Sequence, residues 1–154
     1  MKRLLILSGK GGTGKTTTAA AFIQFSQSRA IADCDVDAPN LHIVTEKTGE
    51  CRTKEFIGSK KAVIDETLCV HCGNCAEKCR FNAISDKGRS YGVDEYHCEG
   101  CGVCQYVCPN DAVRLVEDVA GKQELYLGDT VFSTATLKMS RGNSGKLVTA
   151  VKLD

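Results

Sequence analysis

Eight of the ten cysteines in this chain occur in two runs that share one spacing. In each run, gaps of two, two and three residues separate four cysteines, and the second run begins 29 residues after the first. Thiols two residues apart are poorly placed to bridge each other, but they converge easily on one metal centre. The spacing therefore predicts metal ligation and not a disulfide framework. The runs are Cys69, Cys72, Cys75 and Cys79, and then Cys98, Cys101, Cys104 and Cys108, which Pro109 follows.

The spacing resembles the runs with which bacterial ferredoxins hold [4Fe–4S] clusters, and zinc is the competing metal. Zinc sites usually pair two C-x2-C units, whereas three cysteines at two-residue gaps and a fourth after three favour a cubane cluster. In two-cluster ferredoxins, the fourth cysteine of each run ligates the other cluster. The resemblance therefore implies one cluster on Cys69, Cys72, Cys75 and Cys108, and a second cluster on Cys98, Cys101, Cys104 and Cys79.

Small residues stand between the ligands of both runs, at Gly73, Gly100 and Gly102. A glycine lets the backbone approach a cluster closely, so we expect amides in these segments to point at its sulfides. His71 and His97 lie next to ligands, and a histidine can replace a thiolate. Because four cysteines already complete each cluster, we interpret both histidines as surface residues.

The composition sets further limits on the class of protein. The chain has 154 residues, a net charge of +1 and 42% hydrophobic residues, which is typical of a soluble globular protein and gives no sign of nucleic-acid binding. The longest apolar runs are far shorter than the roughly 20 residues that span a bilayer. Free thiols at metal-binding spacing favour a reducing compartment, so we expect a cytoplasmic protein without a membrane span.

A second motif lies near the N-terminus, where residues 9–16 satisfy G-x4-G-K-[ST]. Residues 3–7 before it form an apolar run without alternation, which predicts a strand buried on both faces of a parallel sheet. Residues 15–28 after it predict a helix whose positive N-terminal end would face a phosphate. In this motif Lys15 would reach the β- and γ-phosphates, and Thr16 would bind Mg²⁺.

With Lys10 included, this loop resembles the deviant Walker A loop of the ParA/MinD class of ATPases. The chain resembles the N-terminal part of a MinD-superfamily P-loop ATPase with an inserted two-cluster ferredoxin domain. The resemblance rests on residues 8–16, on the sequence Asp33-Cys34-Asp35, on both cysteine runs and on residues 143–148. It implies an α/β fold: a partial P-loop NTPase with a parallel sheet, and an inserted α+β dicluster ferredoxin-like domain.

The resemblance also implies roles for individual residues. Lys10 would reach the nucleotide phosphates of a partner subunit in an ATP-bound homodimer. Asp35 would orient the attacking water and Asp33 would lie near Mg²⁺, so Lys10, Lys15 and Asp35 would be the catalytic residues. The site for nucleotide and Mg²⁺ would comprise Gly9, Lys10, Gly11, Gly12, Thr13, Gly14, Lys15, Thr16, Thr17 and Asp33.

The change in cysteine density divides the chain into three segments. Residues 1–60 would form the first part of the P-loop domain, residues 61–117 the inserted ferredoxin domain, and residues 118–154 the continuation of the P-loop domain. Strand patterns occur at 124–127 and about 131–138, and a helical pattern follows residue 143. ATPases of this class carry a later Walker B-like strand that this sequence lacks, so the resemblance implies an N-terminal fragment.

These motifs together predict an iron–sulfur electron-transfer protein coupled to ATP binding or hydrolysis. Its cofactors would be two [4Fe–4S] clusters, ATP and Mg²⁺, and its partner a redox protein. Two alternatives stay open: a plain ferredoxin-type carrier with a non-catalytic P-loop scaffold, and an iron–sulfur assembly ATPase. Without a Walker B segment, we do not expect this chain alone to hydrolyse ATP.

Overall fold

The computed structural model describes residues 3–153. The chain divides into two compact units, which we call the loop unit and the cysteine unit. The loop unit comprises Met1–Glu55, Lys122–Leu137 and Ser144–Asp154, and the cysteine unit comprises Phe56–Gly121 and Lys138–Asn143. Within residues 3–153, no helix is both long enough and apolar enough to cross a membrane.

Eight strands and four α-helices are described. In chain order they are α1 (Lys15–Ser26), β1 (Ala30–Asp33), a 3-10 helix (Leu41–Ile43), β2 (Glu50–Ile57), β3 (Lys61–Ile64), α2 (Asn74–Glu77), β4 (Ile84–Asp86), β5 (Tyr91–Val93), α3 (Val103–Tyr106), β6 (Val113–Val116), β7 (Val119–Leu127), β8 (Val131–Leu137) and α4 (Ser144–Leu153). One mixed sheet has the strand order β1-β8-β7-β2, and the pairs β3-β6 and β4-β5 each form a separate two-stranded sheet.

The core of the loop unit lies between β8 and α4. Phe132 in β8 and Leu147 in α4 are fully buried, and Val151 is 1% exposed. Leu147 and Val151 are four residues apart and therefore share one helix face, which packs against β8. β1 runs parallel to β8, with Ala30 opposite Val131. The helical patterns at 15–28 and after 143, and the strand patterns at 124–127 and about 131–138, are thus confirmed.

The predicted parallel sheet of a P-loop NTPase is wrong. Residues 3–7 form no strand, and Leu4, Leu5 and Leu7 are 65%, 65% and 77% exposed. An unalternating apolar run becomes a buried strand only where neighbouring elements cover both of its faces, and no described residues do so here. What forms instead is a small mixed sheet with helices.

The cysteine unit repeats one arrangement after 29 residues. β3, before the first cysteine run, pairs antiparallel with β6, after the second run. β4, after the first run, pairs antiparallel with β5, before the second run. This exchange brings the end of each run beside the start of the other. The arrangement is consistent with a ferredoxin-like domain, and the three segment boundaries expected from the sequence stay a prediction.

The core of the cysteine unit is small and rich in sulfur. Its buried residues are three cysteines, two alanines and one valine, with no large side chain among them. So little apolar burial contributes modestly to stability, and small folds of this kind depend on metal–ligand bonds. The buried members are Ala62, Cys75, Ala83, Cys98, Cys104 and Val113.

Candidate metal centres

Two equivalent aspartates shape the turns that present the first cysteine of each run. The carbonyl oxygen of Asp65 accepts a hydrogen bond from the N–H of Cys69 at 3.1 Å. The carbonyl oxygen of Asp94 accepts one from the N–H of Cys98 at 3.0 Å. The two runs therefore start from the same local geometry. In both, an aspartate four residues before the first cysteine favours this turn.

The side chains of these aspartates stabilise the same turns. The Thr67 hydroxyl donates to Asp65 at 2.6 Å, and this bond, with the Thr67 N–H, holds the pKa of Asp65 below its ordinary value. The ring of His97 lies 2.8 Å from Asp94 and, as the largest contribution, lowers the pKa of that carboxyl. Both carboxylates are thus ionised at neutral pH and available as turn-closing acceptors.

Two one-turn helices carry the third cysteine of each run inward. α2 and α3 follow Gly73 and Gly102, whose backbones are left-handed with φ of 83° and 80°. Cys75 and Cys104 are the second residues of these helices, and each is 8% exposed. Burial, as the largest cause, raises the pKa of both thiols. A metal that binds them must displace their protons.

Eight thiols line two cavities, four thiols to each cavity. The empty volumes of the cavities are similar, about 350 and 320 Å³ including space open to solvent. The larger cavity, which we call the second-run cavity, is bordered by Cys79, Cys98, Cys101 and Cys104. The other, the first-run cavity, is bordered by Cys69, Cys72, Cys75 and Cys108.

Each cavity thus brings together one of the two four-cysteine sets predicted from the sequence. Each set contains three cysteines of one run and the fourth cysteine of the other run. Within residues 3–153, no three His, Cys, Asp or Glu side chains converge closely enough to hold a single metal ion. The four thiols of each set instead border one of the two cavities. That the cysteines ligate clusters in these sets stays a prediction.

The backbone around the cavities offers what a cubane cluster requires. The N–H of Ala62 donates to Cys98 Sγ at 3.5 Å, and the N–H of Ala112 donates to Cys108 Sγ at 3.3 Å. Gly100 is left-handed at φ +68°, and a Cβ there would overlap the carbonyl oxygen of Lys60. An all-thiol donor set, amide donors to sulfur and a closely packed backbone fit a [4Fe–4S] cluster.

His71 and His97, interpreted from the sequence as surface residues, are both exposed. His71 is left-handed at φ 57°, and its Nε2 lies 2.9 Å from Asp86 Oδ1. Its ring stacks on Tyr91, with 4.9 Å between centroids. These contacts tie the first run to the hairpin of β4 and β5 without placing an imidazole on the border of either cavity.

Lys61 is a candidate functional residue that the motifs of the sequence do not identify. It begins β3, is only 9% exposed, and its Nζ donates to the carbonyl oxygen of Cys98. Alignment of the two runs over their 29-residue repeat could have drawn attention to it, because the equivalent position holds the uncharged Ser90. A buried lysine on one side of an otherwise repeated structure marks a difference between the two cavities.

The Gly-rich loop at residues 9–17 brings some of its nominated residues together. Lys15 Nζ lies 3.3 Å from Asp35 Oδ2, and Thr16 Oγ1 donates to Asn40 Oδ1 at 2.9 Å. Both Gly12 and Gly14 are left-handed, and α1 starts directly after them. A lysine, a threonine and the carboxylate of Asp35, two residues after β1, therefore lie near the start of α1.

Three other residues predicted for the nucleotide site take no part in the Lys15–Asp35 and Thr16–Asn40 contacts. Lys10 and Thr17 are exposed. Asp33 is 6% exposed, but its side chain accepts hydrogen bonds from the N–H groups of Asp35, at 3.1 Å, and Leu41, at 3.0 Å. Asp33 thus closes the turn after β1, which is a structural use of its carboxylate. Catalytic roles for Lys10, Lys15 and Asp35 stay predictions.

Comparison with known proteins identifies the cysteine unit. The family model of the 4Fe-4S dicluster domain matches residues 62–115. Pyruvate synthase subunit PorD of Methanocaldococcus jannaschii is 32% identical over 76 residues, which is 49% of this chain and 81% of that protein. An uncharacterized ferredoxin of the same organism is 29% identical over 116 residues, 74% of this chain and 73% of the relative.

One relative matches almost the whole chain. It is an uncharacterized protein of Methanocaldococcus jannaschii, 32% identical over 155 residues that cover 97% of this chain and 53% of the relative. The chain therefore spans about half the length of this curated relative.

The predicted membership in the MinD superfamily is wrong. The matching family model is that of the 4Fe-4S dicluster domain, PorD and the uncharacterized ferredoxin are relatives of the cysteine unit, and none of these findings is a P-loop or MinD-type match. A short Gly-rich loop before a helix is compatible with many folds, so this loop does not define the superfamily, even with the sequence Asp33-Cys34-Asp35, the cysteine runs and residues 143–148. Through its cysteine unit, the chain belongs to the family of 4Fe-4S dicluster, ferredoxin-like proteins.

Proposed function

We propose that this chain is a plain ferredoxin-type electron carrier with two [4Fe–4S] clusters. The observation that carries the proposal is the border of four thiols around each of two similar cavities. Bound clusters supply one-electron redox chemistry at these sites. We assign Cys69, Cys72, Cys75 and Cys108 to one cluster, and Cys98, Cys101, Cys104 and Cys79 to the other.

The protein residues fix the position and accessibility of each centre. Cys75 and Cys104 are buried and hold the inner side of each cavity. Cys72 and Cys101 are exposed, so the outer side of each site lies where a redox partner can approach. N–H groups directed at Sγ of Cys98 and Cys108 stabilise negative charge on these sulfurs. This combination of a buried inner side and an open outer side supports electron exchange at the surface.

The partner and compartment follow from the same proposal. A relative of the cysteine unit is a subunit of pyruvate synthase, so we propose that the partner here is a larger oxidoreductase. Free thiols and clusters require reducing conditions, which supports a cytoplasmic location. The expected homodimer depended on the MinD assignment and loses its basis with it. We retain residues 61–117 as the proposed limits of the cluster domain.

Anaerobic reconstitution with iron and sulfide tests this function. We expect about eight iron atoms per chain, an absorbance that dithionite bleaches, and full recovery when cytochrome c accepts the electrons. Cys51 is exposed and belongs to neither run, so Cys51→Ser is the matched control and should behave like the wild type. Tightly bound zinc, or iron that dithionite does not reduce, would contradict the proposal.

A second candidate function is phosphate binding by residues 9–17, independent of any ATPase fold. It is favoured by the proximity of Lys15 to Asp35 and of Thr16 to Asn40 at the start of α1. The wider set of Gly9, Lys10, Gly11, Gly12, Thr13, Gly14, Lys15, Thr16, Thr17 and Asp33, with ATP and Mg²⁺ as ligands, belongs to this proposal.

Calorimetric titration with Mg-ATP tests phosphate binding. The wild type should bind, and Lys15→Ala should weaken binding at least tenfold, because the lysine supplies the main cationic contact to phosphate. Lys54, an exposed lysine in β2, provides the control variant Lys54→Ala. Equal heats for wild type and Lys15→Ala would eliminate this function and leave the electron carrier intact.

A further inference from the structure

Lys61 places a buried cation beside one of the two cavities. Its Nζ donates to the carbonyl oxygen of Cys98. The Sγ of the same cysteine accepts a hydrogen bond from the N–H of Ala62, the residue after Lys61, at 3.5 Å. Cys98 and Ala62 both border the second-run cavity. Two consecutive residues of β3 therefore contact Cys98: Lys61 binds its backbone carbonyl, and Ala62 binds its sulfur.

The ammonium group has no carboxylate partner among the described residues. None of the ion pairs within residues 3–153 includes Lys61, although its residue is only 9% exposed. A buried charge is costly unless an opposite charge compensates it, and one neutral carbonyl does not. The negative charge of four thiolates and a cluster in the adjacent cavity would supply that compensation.

Among the described residues, none that borders the first-run cavity is a lysine or an arginine. The position 29 residues after Lys61 is Ser90, which is 3% exposed and uncharged. The amide contacts do not explain a difference, since in the described part of the chain each cavity has an N–H directed at a cysteine sulfur, from Ala62 or from Ala112. Glu99 borders the second-run cavity with the opposite charge, but it is exposed and therefore screened by solvent.

We propose that Lys61 is a positioning and charge-compensating residue that makes the second-run site the more easily reduced of the two. This inference rests on the proposed function. Reduction adds negative charge to a site, so a fixed cation in a poorly solvated environment stabilises the reduced state of that site more than its oxidised state. A single electron that enters the chain from a partner would then reside on the side of Cys79, Cys98, Cys101 and Cys104.

Potentiometric titration with dithionite, followed by EPR of the full chain with both clusters, tests the inference. The wild type should show two separate potentials. Lys61→Gln, which is one atom shorter but keeps a hydrogen-bond donor and removes the charge, should lower the reduction equilibrium constant of the higher-potential site about tenfold, or about 59 mV for one electron. The other site should shift far less.

Two variants distinguish charge from structure. Lys61→Arg keeps the charge and should retain the wild-type separation of potentials. Lys87→Gln removes an exposed lysine from the same unit, in the turn between β4 and β5, and should shift neither potential. Cys79→Ser, which alters the EPR signal of the second-run site, identifies which potential belongs to it.

Several results would overturn the inference. Equal wild-type potentials would do so, even if Lys61→Gln fails to fold. So would a Lys61→Gln variant that shifts both sites equally or neither, or a Lys61→Arg variant that loses the separation. If the wild type contains no reducible clusters, the proposed function fails as well. If both clusters are reducible but insensitive to Lys61, only the present inference fails.

Discussion

Cys79 and Cys108 are the residues that make the two cysteine runs depend on each other. Each ends its own run, yet each borders the cavity of the other run. The spacing alone predicts thiolate ligation, while the exchange of the fourth cysteine comes from the resemblance to two-cluster ferredoxins. In the structure, the pairing of β3 with β6 and of β4 with β5 provides the physical basis for this exchange.

Replacement of Cys79 by serine should damage the second-run cluster and spare the first-run cluster. About half of the bound iron should be lost, since one of two equivalent four-iron centres loses a thiolate. EPR of the reduced protein measures which centre changes. Cys108→Ser is the mirror variant, and Cys51→Ser the neutral control. Damage to the first-run cluster by Cys79→Ser would show that each run ligates its own cluster.

Gly100 is a position at which the backbone leaves no room for a side chain. Gly100→Ala should destabilise the cysteine unit by about 1–3 kcal/mol or more, because a left-handed alanine is strained and its Cβ would overlap the Lys60 carbonyl. The urea concentration at which cluster absorbance is lost measures this. Gly88→Ala is the matched control, being left-handed at φ +91° with open space around its Cβ. Equal midpoints for the two variants would refute the close contact.

At the scale of elements, an ionic cluster fixes the segment 138–143 within the cysteine unit. The Arg141 side chain is 6% exposed, with Nη2 3.2 Å from Asp118 Oδ1 and 2.7 Å from Glu95 Oε2. Its guanidinium also lies 5.6 Å from the ring centroid of Tyr96. Residues 95 and 96 lead directly into Cys98, so this cluster supports the start of the second run.

The two carboxylates of this cluster should differ in importance. The Asp118 side chain is 14% exposed. Asp118→Asn removes the buried counter-charge of Arg141 and should lower the free energy of unfolding by about 3 kcal/mol. Glu95 is 58% exposed, and Glu95→Gln should cost less than about 1 kcal/mol because solvent screens the pair.

The midpoint of cluster loss in urea, measured for both variants, checks this order of stabilities. Equal losses for Asp118→Asn and Glu95→Gln would mean that the ion pair contributes little despite its burial.

Some helices and strands could be predicted from the sequence, whereas the fate of residues 3–7 and the position of Lys61 could not. Helix α1 and strand β8 follow from local patterns of apolar residues, and the cysteine runs identify the candidate metal centres. The exposed run at residues 3–7 has an equally strong strand pattern, but whether it pairs depends on neighbours that no local pattern specifies. Lys61 was missed for a similar reason, since only the pairing of β3 brings it to Cys98.

At the scale of the whole molecule, the Gly-rich loop and the cysteine runs belong to different units. The plain-carrier proposal therefore expects Lys15→Ala to leave iron content, EPR spectra and both potentials unchanged. The same titration that tests Lys61 measures this, with and without Mg-ATP. A change in either potential caused by Lys15→Ala, or by nucleotide in the wild type, would indicate coupling that a plain carrier does not have.

This one chain is proposed to hold two reducible [4Fe–4S] clusters. EPR of the anaerobically reconstituted, dithionite-reduced chain, with spin quantitation, tests it most directly. We predict signals that integrate to about two spins per chain, broadened by interaction between neighbouring clusters. A total of one spin or none in protein that carries its full complement of iron would contradict the account.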